Sequence, residues 1–254
     1  MNSAASIHEA RQQSVRSPSG ATHTRRAFRG EILHHDFALR RNGYHLRIVP
    51  PHGPLRADVD RLIHRMYSWR GLTPYQGHDS AGQPIQTTLV ACKGDRPFGT
   101  LTVGMDLGKG LLADTLYRTE IDSTRSRGGQ VCEVTRLAMD PEHSTPETMA
   151  AIFHLGFIIA RLVHGMTDSY IEVHPRHTSY YRRTLGYRVA GPHLTCPRVG
   201  APAVLMHLPL SHAEQQALRY GGSARTHSRN LYQLFLSPSE QRTVLDSLHR
   251  PYAG

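Results

Sequence analysis

The chain has little sulfur chemistry. Its 254 residues hold three cysteines, Cys92, Cys132 and Cys196, too few for a disulfide framework and too far apart for a C-x-x-C zinc knuckle. Lysine is nearly missing, since Lys93 and Lys109 are the sole exceptions to arginine among 30 basic residues. No stretch approaches 18 consecutive apolar residues, which argues against a membrane-spanning helix. The first 29 residues are polar and arginine-rich, without the apolar core of a secretory signal, so a cytoplasmic protein is expected. Helix-turn-helix, zinc-finger and aromatic-plus-basic strand signatures are also missing. Nucleic-acid binding would therefore rest on charge alone, and no nucleic-acid partner is expected.

What is present suits a folded enzyme. Hydrophobic residues make up 39% and charged residues 20%, close to globular averages. The length fits one catalytic domain with tails. A net charge of +10, carried almost wholly by arginine, favours a phosphate- or carboxylate-bearing partner. A high-GC bacterial composition would give the same bias. Residues 1–42 read as a basic arm, 43–210 as the catalytic domain and 211–254 as a C-terminal helical extension.

Within the domain, Tyr44-His-Leu-Arg-Ile-Val alternates as a half-buried strand does, and Pro50-Pro51 ends it. Val59, Leu62, Ile63 and Met66 recur at helical spacing and predict an amphipathic helix over 55–69. Residues 71–84 read as a long loop. Strands are expected at 86–92 and 97–105 around the turn Lys93-Gly-Asp-Arg96, then a helix over 112–119 continued by 121–125. A strand over 130–139 stops at Asp140-Pro141. Ser144-Thr-Pro-Glu147 then signals the start of a helix reaching 164, apolar over most of its circumference and so expected to be buried. A strand at 169–174, a short helix at 178–185 closed by Gly186, a strand at 203–208 and polar helices at 211–219 and 237–249 follow. This order implies an α/β protein with one mixed sheet and helices on both faces. It is the order of the GNAT acyltransferases.

Two stretches carry a closer likeness. Gly110-Leu-Leu-Ala-Asp-Thr-Leu-Tyr117 running through Val131-Cys-Glu-Val-Thr-Arg-Leu-Ala-Met-Asp140 is one, and Ile171-Glu-Val-His-Pro-Arg-His177 with Tyr180-Tyr-Arg-Arg-Thr-Leu-Gly-Tyr187 is the other. Both resemble the FeeM-type N-acyl amino acid synthases, GNAT-fold relatives of the acyl-homoserine lactone synthases. The resemblance implies transfer of a long acyl chain from the phosphopantetheine arm of an acidic acyl carrier protein to the amine of an amino acid, with no permanently bound cofactor. An acyl-homoserine lactone synthase-like enzyme, a CoA-dependent N-acetyltransferase and a non-catalytic GNAT-fold binding module are the alternatives. CoA-dependent GNAT proteins cradle a diphosphate on a glycine-bearing loop at a helix N-terminus, where free amides face the anion. Here residues 140–147 contain no glycine, two prolines and the acidic Glu142 and Glu147, which makes CoA the less expected donor.

Amide formation from a thioester needs a free amine, a donor for the developing oxyanion and a slot for the acyl arm. Glu133 is the favoured base, and Arg136 is expected to orient it or to bind an acceptor carboxylate. Residues i and i+3 face opposite sides of a regular strand, so the two share a site only if a bulge intervenes. A buried ion pair is the bland alternative. His174 is the second candidate for base or relay, because an imidazole titrates near neutrality. Tyr181 is favoured over Tyr180 as donor to the leaving thiolate, since adjacent helical residues point about 100° apart and at most one should face the cleft. Trp69, Arg70, Tyr75, Leu137, Met139 and His177 are expected at the acyl or acceptor pocket, although His177 could instead cap the next helix. Ser144, Thr145, Arg176, Arg182 and Arg183 are expected to meet the carrier protein or its phosphate. Cys132 reads as core, and no metal-ligand set is legible.

Overall fold

The computed structural model describes Leu33 and residues 37–50, 52–73, 85–223 and 230–248. The strands are β1 (Ala38–Arg41), β2 (Tyr44–Ile48), β3 (Ile85–Lys93), β4 (Arg96–Met105), β5 (Val131–Met139), β6 (Asp168–Val173), β7 (Arg188–Cys196) and β8 (Ala201–Pro209). They form one sheet in the order β1-β2-β3-β4-β5-β6-β8-β7, with β5 and β6 the parallel pair and the other neighbours antiparallel. The last strand thus inserts between β6 and β7.

Strand alternation decides which helix covers which face. Leu101, Val103 and Met105 of β4 join a large cluster with α3 (Pro146–Phe157), while Thr100 and Thr102 turn to the other side. On that other side Val59, Leu62, Ile63 and Met66 of α1 (Pro54–Trp69) pack on Val90 and Ala138, as their helical spacing predicts. Further along the same face Tyr117 and Ile121 of α2 (Asp114–Arg125) pack on Val131, Tyr170 and Leu205. The α3 face also receives α4 (Thr178–Leu185), closed by Gly186 at φ 81, then α5 (Leu210–Tyr220) and α6 (Pro238–Leu248). Helix α3 continues as a π-helical turn, Ile158–Val163, and the stretch Pro146–Val163 is long and apolar enough to cross a membrane. It is 72% buried against the sheet, which identifies it as a core helix.

Four expectations need correction. β1 and the buried Leu33 and Phe37 fall inside the stretch read as an arm, because the turn at Asn42-Gly43 returns the chain as a hairpin with β2. β7 was not expected at all. It is an edge strand whose residues are mostly exposed and whose register breaks between Val189 and His193, around Pro192, so it has no apolar alternation to read. Helix α3 is capped by Thr145, one residue later than the Ser144 signal, its hydroxyl accepting the Thr148 amide at 3.2 Å. The C-terminal segment is not a polar appendage: Leu231, Tyr232, Phe235 and Leu236 are buried in the main core beside α3.

Candidate active site

β5 and β6 pair over 131–134 and 168–171 and then separate. On its other edge β5 carries a bulge, since Thr102 faces Thr135 while Thr100 faces Ala138, so two steps of β4 span three of β5. Arg136 sits in this bulge at φ 50, the left-handed region, and is the one non-glycine residue with positive φ among those described. Such a backbone is strained for an L-residue and is characteristic of functional positions. The separation opens a cleft through the sheet, bordered by Met149 and Phe153 on the α3 side and by Tyr67, Arg136 and Glu172 on the α1 side.

The structure sorts the expected residues. Trp69, Arg70, Arg136, Leu137, Met139, Ser144, His174, Arg176, His177 and Tyr181 all border the cleft. Tyr75 lies outside the described residues. Both Tyr180 and Tyr181 border the cleft, against the expectation that at most one would, because α4 begins at its mouth and meets it with its first turn. Burial raises both phenols, so each is a proton donor at neutral pH. Tyr181 packs edge-on against Phe153 and Tyr187. His174 Nδ1 accepts the Arg176 amide at 3.2 Å and caps the turn Pro175–His177. His177 makes no side-chain cap, and its Nε2 accepts from Arg176 Nε at 3.2 Å. Arg182 and Arg183 are exposed on α4 outside the cleft, and Thr145 faces a separate surface hollow beside Tyr44 and Glu240.

Glu133, expected as the base, is set apart from the cleft. The bulge does carry Arg136 to the face that Glu133 occupies, for the Arg136 guanidinium donates to Gln86 Oε1 at 3.0 Å on the α1 side. Yet Glu133 is 2% exposed and does not border the cleft. Its two oxygens accept the amides of Leu112 at 2.8 Å and Ala113 at 3.0 Å, fixing the entry to α2. Burial pushes its carboxyl up to about 7, against the pull of those two amides and of Arg198. Two regions far apart in sequence meet here through Arg198, in the β7–β8 connection. Arg198 donates to Leu112 O at 2.7 Å and forms an ion pair with Glu172 of β6. Neither Glu172 nor Arg198 was singled out from sequence. Glu172 had a signal, a charge between the apolar Ile171 and Val173, two residues before His174 and therefore on its face. Arg198 had none, because β7 was unreadable.

The profile described as N-acyl amino acid synthase FeeM matches residues 58–209, more than half of the chain and the whole of this cleft. The chain belongs to the FeeM N-acyl amino acid synthase family. No curated protein sequence matches it. Among solved structures it is similar to FeeM, an N-acyl amino acid synthase from uncultured soil microbes, at 24% identity and a TM-score of 0.57, covering 67% of this chain and 97% of that one. A protein from Lactobacillus plantarum described as an N-acetyltransferase has 17% identity and a TM-score of 0.49, covering 66% and 99%. The AHL synthase LasI has 12% identity and a TM-score of 0.45, covering 66% and 90%. The fold is that of the GNAT acyltransferases, and the protein is an N-acyltransferase.

In this FeeM-family chain the start of α3 offers little to a diphosphate. Pro146 has no amide hydrogen, the Thr148 amide is taken by Thr145 Oγ1 and that of Met149 by Thr145 O. Glu142 and Glu147 are exposed beside it. The α3 side of the cleft leads elsewhere. Val134 and Phe153 border both the cleft and a small apolar cavity of about 30 Å³ between the sheet and α3, floored by Tyr232 and Phe235. Its hydroxyls are paired, Ser169 with Tyr187 at 2.9 Å and Tyr232 with Leu185 O at 2.8 Å, which leaves an oily lining. Cys132, also in that wall, has its thiol pushed up to about 12 by burial and is no nucleophile.

Proposed function

We propose that this N-acyltransferase moves a long-chain acyl group from the phosphopantetheine thioester of an acidic acyl carrier protein to the α-amine of an amino acid. The observation that carries this reading is the oily wall beyond Val134 and Phe153, where a small apolar cavity adjoins the cleft and marks the direction in which an alkyl chain would extend. The family membership and the occupied amides at the start of α3 support the same donor. The thioester lies in the gap between β5 and β6, with the alkyl chain turned toward α3 and the amine arriving from the α1 side. A protonated Tyr180 or Tyr181 supplies a proton to the departing thiolate. Arg70 and Arg176 at the rim, with Arg182 and Arg183 on α4, receive the acidic carrier.

The test is direct. Long-chain acyl carrier protein, long-chain acyl-CoA and acetyl-CoA are each offered with a mixture of amino acids, and products are read by mass spectrometry. N-acyl amino acids from the carrier-bound donor are expected; turnover confined to acetyl-CoA overturns the reading. Charge reversal at Arg176, Arg182 and Arg183 is expected to raise the KM for the carrier protein about tenfold at low salt, with kcat at saturation little changed. Salt-independent binding by the unmodified protein would remove that surface from consideration.

Chain length has its own probe. A Cβ on Gly156 would stand 3.3 Å from Leu101 Cδ2 and 3.4 Å from Val103 Cγ2, inside the lining of the cavity. Gly156→Val is expected to cut turnover of long-chain donors about 10- to 200-fold while short-chain donors change by a few-fold at most. Equal loss for both would mean that the cavity does not hold the chain.

A further inference from the structure

Two polar atoms of residues bordering the α1 side of the cleft, Glu172 Oε1 and Thr135 Oγ1, lie buried without a hydrogen-bond partner among the described residues, as does Gln86 Nε2 behind Arg136. Burying such groups unpaired is costly, and native proteins rarely tolerate several in one place without a ligand or water to meet them. Their chemistry is also divided. Gln86 Nε2, the Thr135 hydroxyl and the Arg136 guanidinium are donors and belong to β5 or to β3 beyond it, and Gln86 Oε1 holds Arg136 at 3.0 Å. Glu172 Oε1 is an acceptor on β6, across the opening, and its other oxygen is held by Arg198. The Glu172 side chain is 11% exposed and borders the cleft.

We infer that Glu172 is a catalytic residue that receives the acceptor's ammonium and takes its first proton, while Arg136, positioned by Gln86, and Thr135 hold the acceptor's carboxylate. The inference rests on the acyl-amide reading above. An α-amino acid carries a carboxylate and an ammonium on the same carbon, the arrangement that donors on one rim and an acceptor on the other would match. Arg198 is a positioning residue. It is charged at all relevant pH values, and its bond to Leu112 O fixes the guanidinium that steers Glu172. The titratable or charged groups nearest this side of the cleft from the surrounding elements include Tyr67 of α1 and Arg70 just after it, Tyr117 of α2, Glu133 and Arg136 of β5, and His174 just after β6.

The step balances without a further reactant. One ammonium proton passes to Glu172 Oε1, and the nitrogen lone pair forms the C–N bond at the thioester carbonyl. Collapse of the tetrahedral oxyanion breaks the C–S bond, and the thiolate leaves with its electron pair. A second nitrogen proton reaches that sulfur by way of the tyrosine donor, giving amide and thiol. Glu172 returns its proton to solvent.

The experiment uses the full chain with the donor and amino acid that the product assay identifies. Glu172→Gln is expected to lower kcat/KM for the acceptor ~100-fold or more at pH 7, with the loss shrinking toward pH 9.5, where much of the acceptor is already free amine. Glu172→Asp, which keeps a carboxylate, should recover part of the rate. A Gln variant that folds and turns over normally, or that loses the same factor at every pH, overturns the inference. A second arm stands even if the Gln variant fails to fold. The unmodified protein should prefer the amino acid to its carboxamide, and Arg136→Ala should erase that preference. Equal use of both acceptors by the unmodified protein overturns the carboxylate assignment. If the unmodified protein makes no acyl amino acid at all, the proposed function itself fails, an outcome distinct from an active protein indifferent to Glu172.

Discussion

Glu133→Ala is expected to lower the unfolding free energy by about 4 kcal/mol, because it leaves two buried amide donors, those of Leu112 and Ala113, without an acceptor. Urea denaturation followed by circular dichroism measures this. A second consequence follows from connectivity. With the Leu112 peptide released, Leu112 O no longer holds Arg198, and Arg198 no longer fixes Glu172. Activity at a temperature where the variant remains folded should therefore fall too, with the larger part of the loss in kcat. Glu133→Gln keeps one good acceptor but presents an amide group to a second N–H donor, so about half of the stability loss is expected. A Glu133→Ala protein as stable as the parent, yet inactive, would restore Glu133 as the base.

This contrast explains what could be read in advance. The Glu-x-x-Arg-Leu strand, the following helix start and the His-Pro-Arg-His turn placed the cleft between β5 and β6, since those motifs lie in continuous segments with clear periodicity. The bulge at Arg136 was foreseeable as a requirement, and it does bring Arg136 to the Glu133 face. Sequence could not say which oxygen meets which amide. Glu133 is claimed by Leu112 and Ala113, about twenty positions earlier, through a backbone bond that no side-chain pattern announces. Arg198 acts from a turn between an unreadable edge strand and β8, so its pairing with Glu172 exists solely in three dimensions. Alternation finds faces; it does not find partners across a sheet.

The dependence of stability on pH should expose two buried groups pulling in opposite directions. His154 of α3 is 0% exposed and locks the C-terminal segment to the core: Nδ1 accepts the Leu236 amide at 2.9 Å, Nε2 lies 2.9 Å from Gln241 Oε1, and the ring stacks on Phe235 at 4.3 Å. Nδ1 must be unprotonated to accept, so the folded protein holds a neutral imidazole, and burial lowers its pKa to about 4. Between the unfolded value of about 6.5 and that folded value the unfolded chain binds the extra proton, so His154 removes stability as pH falls. Glu133, pushed up to about 7 by burial, does the reverse. Above its unfolded value of about 4.3 the folded state binds the extra proton, and stability is lost as pH rises toward 7. Each effect approaches about 1.4 kcal/mol per pH unit, so between about pH 4.5 and 6.5 the two slopes should largely cancel in the unmodified protein. Single variants separate them. Glu133→Gln should unmask a loss of stability on acidification through this window. His154→Phe leaves the Leu236 amide unpaired and should be less stable by about 2 kcal/mol near pH 7, with the gap closing on acidification because the variant's stability now rises as pH falls. Denaturation midpoints at half-unit steps give both slopes, and parallel pH profiles for the parent and the two variants would sink the assignment.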